Sequence, residues 1–174
     1  MKTKIKNFIL LTFILSLCAC SSDDGDSSPI ESLEGSWALI SLSIETAFDF
    51  DNDGTAQSDM FDETPCYSGN FVSFDSEGGA RLVNGLTYIS ADVNSNDPSD
   101  YEYIYECQNG FDVETSWTQN GNTVTIQLLG QDVLGTISGN TMTVVISDLF
   151  EIELYDGINY TDVQEDVTLI YSKM

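Results

Sequence analysis

Beyond Leu33, apolar and polar residues alternate along much of the chain. Val124, Ile126 and Leu128 fall on one side of an extended segment, with Thr123, Thr125 and Gln127 on the other; Met142, Val144 and Ile146 repeat the scheme. Successive side chains of a strand point to opposite faces, so the pattern describes antiparallel strands with one packed and one wetted face. The two segments open alike, on Gly121-Asn122 and Gly139-Asn140, turns suited to positive φ. The same alternation predicts strands over Ser36–Ile44, Asn70–Asp75, Ala80–Ile89, Tyr101–Cys107, Phe111–Thr118, Gly135–Ser138, Phe150–Tyr155 and Val167–Ser172. No window holds a helical period longer than two turns, although Ser58–Glu63 can form one turn. About eight to ten short strands joined by tight turns imply a single all-β domain, a barrel or a sandwich, and the spacing alone does not separate the two.

The N-terminal segment follows a different pattern. Lys2, Lys4 and Lys6 precede an apolar run from Phe8 to Leu17. This is the layout of an export signal, and the run is too short to span a bilayer, which takes roughly twenty apolar residues. It ends in Leu17-Cys18-Ala19-Cys20, which resembles a bacterial lipobox: an aliphatic residue, a position usually held by Ala, Ser, Thr, Val or Ile from which Cys18 departs, a small residue, then the cysteine that receives lipid; an ordinary cleaved signal is the alternative. Taking Cys18 as the acceptor would put bulky Leu17 directly before it, so Cys20 is the expected anchor and residues 1–19 the signal. Residues 20–32 then form an acidic, Ser-rich tether, and residues 33–174 the folded domain. Ser22-Asp23-Asp24 resembles the surface-export signal of Bacteroidetes lipoproteins, with a plain solvated linker as the alternative. The expected location is the bacterial cell envelope, at the outer membrane and its surface, with the lipid as the contact to the membrane.

Charge narrows the partners. The chain has 29 acidic and 5 basic residues; every acidic residue lies beyond Cys20, where only Arg81 and Lys173 oppose them. Such a surface repels phosphate backbones, so nucleic acid is not an expected partner. Histidine is absent, which removes the usual general base and the commonest transition-metal ligand. There is no Gly-x-Ser-x-Gly elbow, and nothing singles out a carboxylate pair for glycoside hydrolysis, so an enzyme is not expected.

Two features carry chemistry. Cys66 and Cys107 are the only cysteines of the folded part, and in an exported protein their expected use is a disulfide; two thiols without histidine do not close a zinc site. Asp49-Phe50-Asp51-Asn52-Asp53-Gly54 places carboxylates at alternate positions of a loop that can wind around calcium. Gly54 permits the tight turn, and the Thr55 carbonyl supplies a further oxygen. The position where an EF-hand has its bidentate Glu is occupied by Met60, so Asp59, or Asp62, is the expected substitute. An ordinary acidic turn is the competing reading.

The order of motifs adds a resemblance. Gly35-Ser36-Trp37 opens the first strand, the Asp-rich loop and Glu63-Thr64-Pro65-Cys66 follow, Phe71 and Phe74 share a strand, and Val167–Lys173 ends the chain. This order is similar to the lipocalin-like domain of small Bacteroidetes lipoproteins, across Leu33 to Lys173. The resemblance implies an antiparallel up-and-down β-barrel around a central cavity. It also implies that Trp37 plugs the closed end and that Lys173 covers its indole through a cation–π contact. Tyr101, Tyr103 and Tyr105 alternate with Glu102, Ile104 and Glu106; facing inward they could line the cavity, but ordinary strand packing or a surface stripe is the favoured reading. The expected function is binding of a small apolar or amphipathic ligand. The rival is a packed, non-enzymatic module whose calcium-stabilised acidic loop meets a protein or glycan.

Overall fold

The computed structural model describes residues 32–93, 101–155 and 158–174; the expected signal, Cys20 and all but the last residue of the tether lie outside them. Among the described residues nine strands run in chain order: β1 (Gly35–Phe48), β2 (Gln57–Asp59), β3 (Phe71–Phe74), β4 (Gly79–Val93), β5 (Tyr101–Asn120), β6 (Thr123–Leu128), β7 (Gln131–Ser138), β8 (Thr141–Tyr155) and β9 (Tyr160–Lys173). Between β2 and β3 lie one helical turn, α1 (Met60–Glu63), and a 3-10 turn, Pro65–Tyr67. Every pairing is antiparallel, in the order β1-β3-β4-β5-β6-β7-β8-β9, and β9 returns to β1, with Trp37 opposite Lys173 and Ser43 opposite Thr168. The result is a closed eight-stranded up-and-down barrel. Where the strands pair all the way round, closure removes the free edges that an open sheet would present. β2 is an extra strand on the far half of β1, beyond the short β3.

The local chemistry explains the turns. Gly121 and Gly139 take φ of 61° and 60° as the first of two loop residues, the type II′ geometry whose twist matches the flanking strands. At the other end of the barrel, β6 and β7 meet through Leu129 and Gly130, with φ of 52° and 83°. Two positive φ values make this a type I′ turn, for which leucine is a strained choice.

Two breaks in the alternation are bulges rather than strand ends. The predicted strands Tyr101–Cys107 and Phe111–Thr118 are one strand, β5, whose register slips between Asn84 and Leu86 of β4. A side chain at Gly110 would collide with the Asn84 carbonyl, so glycine is required there. Likewise β8 continues through Asp148, at φ 55°, from the predicted Met142 segment into Phe150–Tyr155. A bulge uses the same Gly, Asn and Asp that a turn uses, which is why alternation stops at both.

Inward residues fill the end that carries the β3–β4, β5–β6 and β7–β8 turns. Trp37, Val72, Val124 and Met142 are all but fully buried; each such side chain contributes about 1.5–3 kcal/mol of burial. Gly135 is buried between Val124 and Val144, where a Cβ would overlap Val124, so the wall comes in close there. Trp37 donates from Nε1 to the Leu33 carbonyl at 2.8 Å, and Lys173 Nζ stands 5.4 Å from its ring centre while donating to the Ser32 carbonyl.

Candidate functional site

The opposite end is built differently, because its strands have unequal lengths. β5 pairs with β6 only over Trp117–Asn120, and β8 with β7 only over Thr141–Val144. Both long strands then continue past the low β6–β7 turn. The wall therefore has a gap whose sill is Leu128–Gln131. Behind it lies a cavity of about 640 Å³, within the range of small-molecule sites. Leu42 of β1, Met60 of α1, Ile89 of β4, Phe111 of β5, Val133 of β7 and Leu169 of β9 form its apolar wall. Leu86, Tyr88, Leu129 and Leu149 also line it, yet all four are largely exposed, Leu129 at 92%. They make an apolar rim around the opening.

Polar groups in the lining are few. The Tyr67 phenol is pushed above its ordinary pKa by burial, partly offset by its interaction with the Thr87 hydroxyl. Thr87 Oγ1 itself is buried and makes no well-aligned hydrogen bond. Glu151 is the one charged side chain among the described lining residues.

The Asp-rich loop sits at the same end and closes the top. Phe48 and Phe50 stack at 5.0 Å, and Tyr103 meets both edge-on, at 5.9 and 5.1 Å. Phe150 adds a fourth ring, 5.7 Å from Phe48, and also lines the cavity. Asn52, at φ 57°, reaches across to β5: its Nδ2 donates to the Tyr103 carbonyl at 2.7 Å, and its Oδ1 accepts from the Tyr103 amide at 3.0 Å. The side-chain amide thus completes the backbone pairing of that residue as a neighbouring strand would.

Within the loop, Asp49 accepts from the amides of Asp53 and Gly54, each at 2.9 Å, and Asp51 accepts from Asp53 at 3.0 Å. Glu63 comes in from α1, buried, accepting from the amides of Phe50 at 2.7 Å and Asp51 at 3.3 Å. One oxygen each of Asp49, Asp51 and Glu63 lies within 4.8 Å of the others, a set that can hold a metal ion. Burial pushes the Glu63 carboxyl above its ordinary pKa; the charges of Asp51 and Asp49 push the same way, against the lowering effect of the two amides.

The sequence-predicted residues divide. Asp49 and Asp51 join this cluster, whereas Asp53 turns its Oδ1 to the Thr55 amide at 2.8 Å. Asp59, the expected closing ligand, caps α1 instead, accepting from Phe61 at 3.0 Å and from Leu42 at 3.2 Å. Glu63 takes its place in the cluster, one helical turn after Met60; reading Met60–Glu63 as a helical turn facing inward was the available signal. Tyr101, Tyr103 and Tyr105 are half-buried but absent from the cavity lining, because Phe48 and Phe50 occupy the space against Tyr103. Cys66 and Cys107 form the expected disulfide, with Cα atoms 5.0 Å apart, tying the 3-10 turn to β5. The chain matches no protein-family model, no curated protein and no solved structure.

Proposed function

We propose that this protein is a lipid-anchored lipoprotein of the bacterial envelope, held through Cys20, whose barrel takes up a small apolar or amphipathic molecule without transforming it. The observation that carries the reading is the apolar cavity behind an exposed leucine rim: a packed scaffold needs neither an internal space of that size nor leucines in water around its mouth. The closed eight-strand meander supports the likeness to lipocalin-like domains of Bacteroidetes lipoproteins. The test is fluorescence of a neutral apolar dye, Nile red, with the purified protein. Saturable binding is expected, with affinity cut at least tenfold by Ile89→Trp, which fills the cavity; no binding, or binding indifferent to Ile89→Trp, overturns the reading. Fatty-acid label surviving in Cys20→Ala would overturn the anchor.

The acidic cluster favours a second element, calcium bound by Asp49, Asp51 and Glu63, which relieves carboxylate repulsion in the loop that covers the barrel. Calcium at a hundred times its Kd contributes about 2.7 kcal/mol to a form that alone binds it, a rise of several degrees in Tm. The increment is expected to exceed that of magnesium, which demands a tighter octahedral shell. It should vanish in Asp49→Asn with Asp51→Asn and persist in Asp23→Ala with Asp24→Ala. An equal rise in all three proteins would reduce the effect to screening.

A further inference from the structure

We infer that the cavity selects amphiphiles with a cationic head over neutral ones, and rejects anionic ones, with the head held at the rim by Glu151 and Tyr88. This inference rests on the ligand-binding reading above and specifies the ligand's charge. The distribution of charge around the cavity carries it. An apolar tail is served by the wall of Leu42, Ile89 and Leu169, and the head must then lie at the opening, since burying an unpaired charge inside would cost far more than leaving it in water. At the opening stands Glu151, exposed, the only charged member of the described lining. Tyr88 lines the same cavity and is 60% exposed; a tyrosine ring and a carboxylate at one opening offer an ammonium group both a π face and a counter-charge.

Among the described residues no cation is placed to receive a carboxylate or phosphate head. Among the described residues only Arg81 and Lys173 are basic, and both are at the other end of the barrel. Arg81 is engaged with Asp112, through Nε at 2.8 Å and Nη2 at 2.6 Å, and Lys173 lies over Trp37. The net charge of −24 adds a long-range field that draws cations in and repels anions, and that salt screens. Selectivity located at the rim and selectivity from the overall field are therefore separable by experiment.

The test uses three amphiphiles with the same twelve-carbon chain, dodecylammonium, dodecanol and dodecanoate, displacing Nile red from the purified protein below their micellar concentrations. Dodecylammonium is expected to bind roughly three- to tenfold tighter than dodecanol, the range set by an exposed cation–π contact and ion pair, with dodecanoate weakest. Glu151→Gln should bring dodecylammonium down toward dodecanol and leave dodecanol unchanged. Glu77→Gln, a carboxylate removed from the turn at the far end, should leave the order intact. Equal affinity for all three, or a preference for dodecanoate, overturns the inference. So does an equal loss of selectivity in Glu77→Gln, which would assign it to the overall field. Failure of Nile red to bind at all is a different result: it removes the ligand-binding reading itself.

Discussion

Leu129 holds a conformation that leucine disfavours, in water, at the sill of the cavity. A bulky side chain at φ 52° costs on the order of 1 kcal/mol, and its exposure recovers nothing from burial. Leu129→Gly is accordingly expected to raise stability by about 1 kcal/mol in chemical denaturation while weakening Nile red binding several-fold, since the rim loses one of its four apolar members. A variant that is both less stable and unchanged in binding would contradict this account. Tyr171 makes a second residue-scale prediction. Its phenol is buried, and burial pushes its pKa up to about 12, against the lowering effect of Asn84. Ionisation is thus harder in the folded state than in the unfolded one, whose tyrosines titrate near 10. The contribution is fully present below about pH 10 and is lost as pH rises through about 12, a loss of roughly 2–3 kcal/mol. Tyr171→Phe should flatten that alkaline fall in urea-melt stability; an unchanged slope would assign it to other groups.

At the scale of elements, the disulfide fastens the segment that stands in for β3 at the open end. Past Phe71, where the pairing of β3 with β1 and β4 ends, the gap between β1 and β4 is covered by β2, α1 and the 3-10 turn, which have few backbone pairings of their own. The bridge closes a sequence separation of 41 residues, which in the chain-entropy model contributes about 4 kcal/mol. Reduction should lower Tm by several degrees, and hydrogen exchange should rise first in residues 49–67 rather than in β6 and β7; uniform loss of protection would count against this placement. These elements also mark how far the sequence could be read. Strand positions followed from alternation, because each strand has one packed and one wetted face. Bulges at Gly110 and Asp148 were read as strand ends, since local chemistry is the same and only the partner strand tells them apart. The acidic loop was visible as alternate carboxylates, but its closing member was not: Glu63 arrives by the turn of α1, and Asp59 is diverted to capping it. The cavity left no local signature at all. It arises from the mismatch between the short β6–β7 hairpin and its long neighbours, a relation among elements far apart in the chain.

For the whole molecule, charge and shape are segregated. One end is filled with tryptophan, methionine and valine and carries both described cations; the other holds the cavity, the acidic loop and the leucine rim. An acidic exterior around an oily space fits the uptake proposed above, provided the bound molecule does not bring a negative charge of its own. The seam between β1 and β9 has a further consequence, for the order in which the chain finds its structure. All six pairings from β3 to β9 join strands that are neighbours in sequence, whereas Trp37 meets Lys173 across nearly the whole domain. Bringing distant segments together costs loop entropy before any contact offsets it, so the hairpins are expected to assemble first and the seam to shut last. Thr168→Ala, opposite Ser43, should then speed unfolding and leave the refolding rate nearly unchanged, while Gly139→Ala, which strains a local turn, should slow refolding. Stopped-flow chevrons for the two variants would decide the matter: a barrel that zips from its seam would show the reverse.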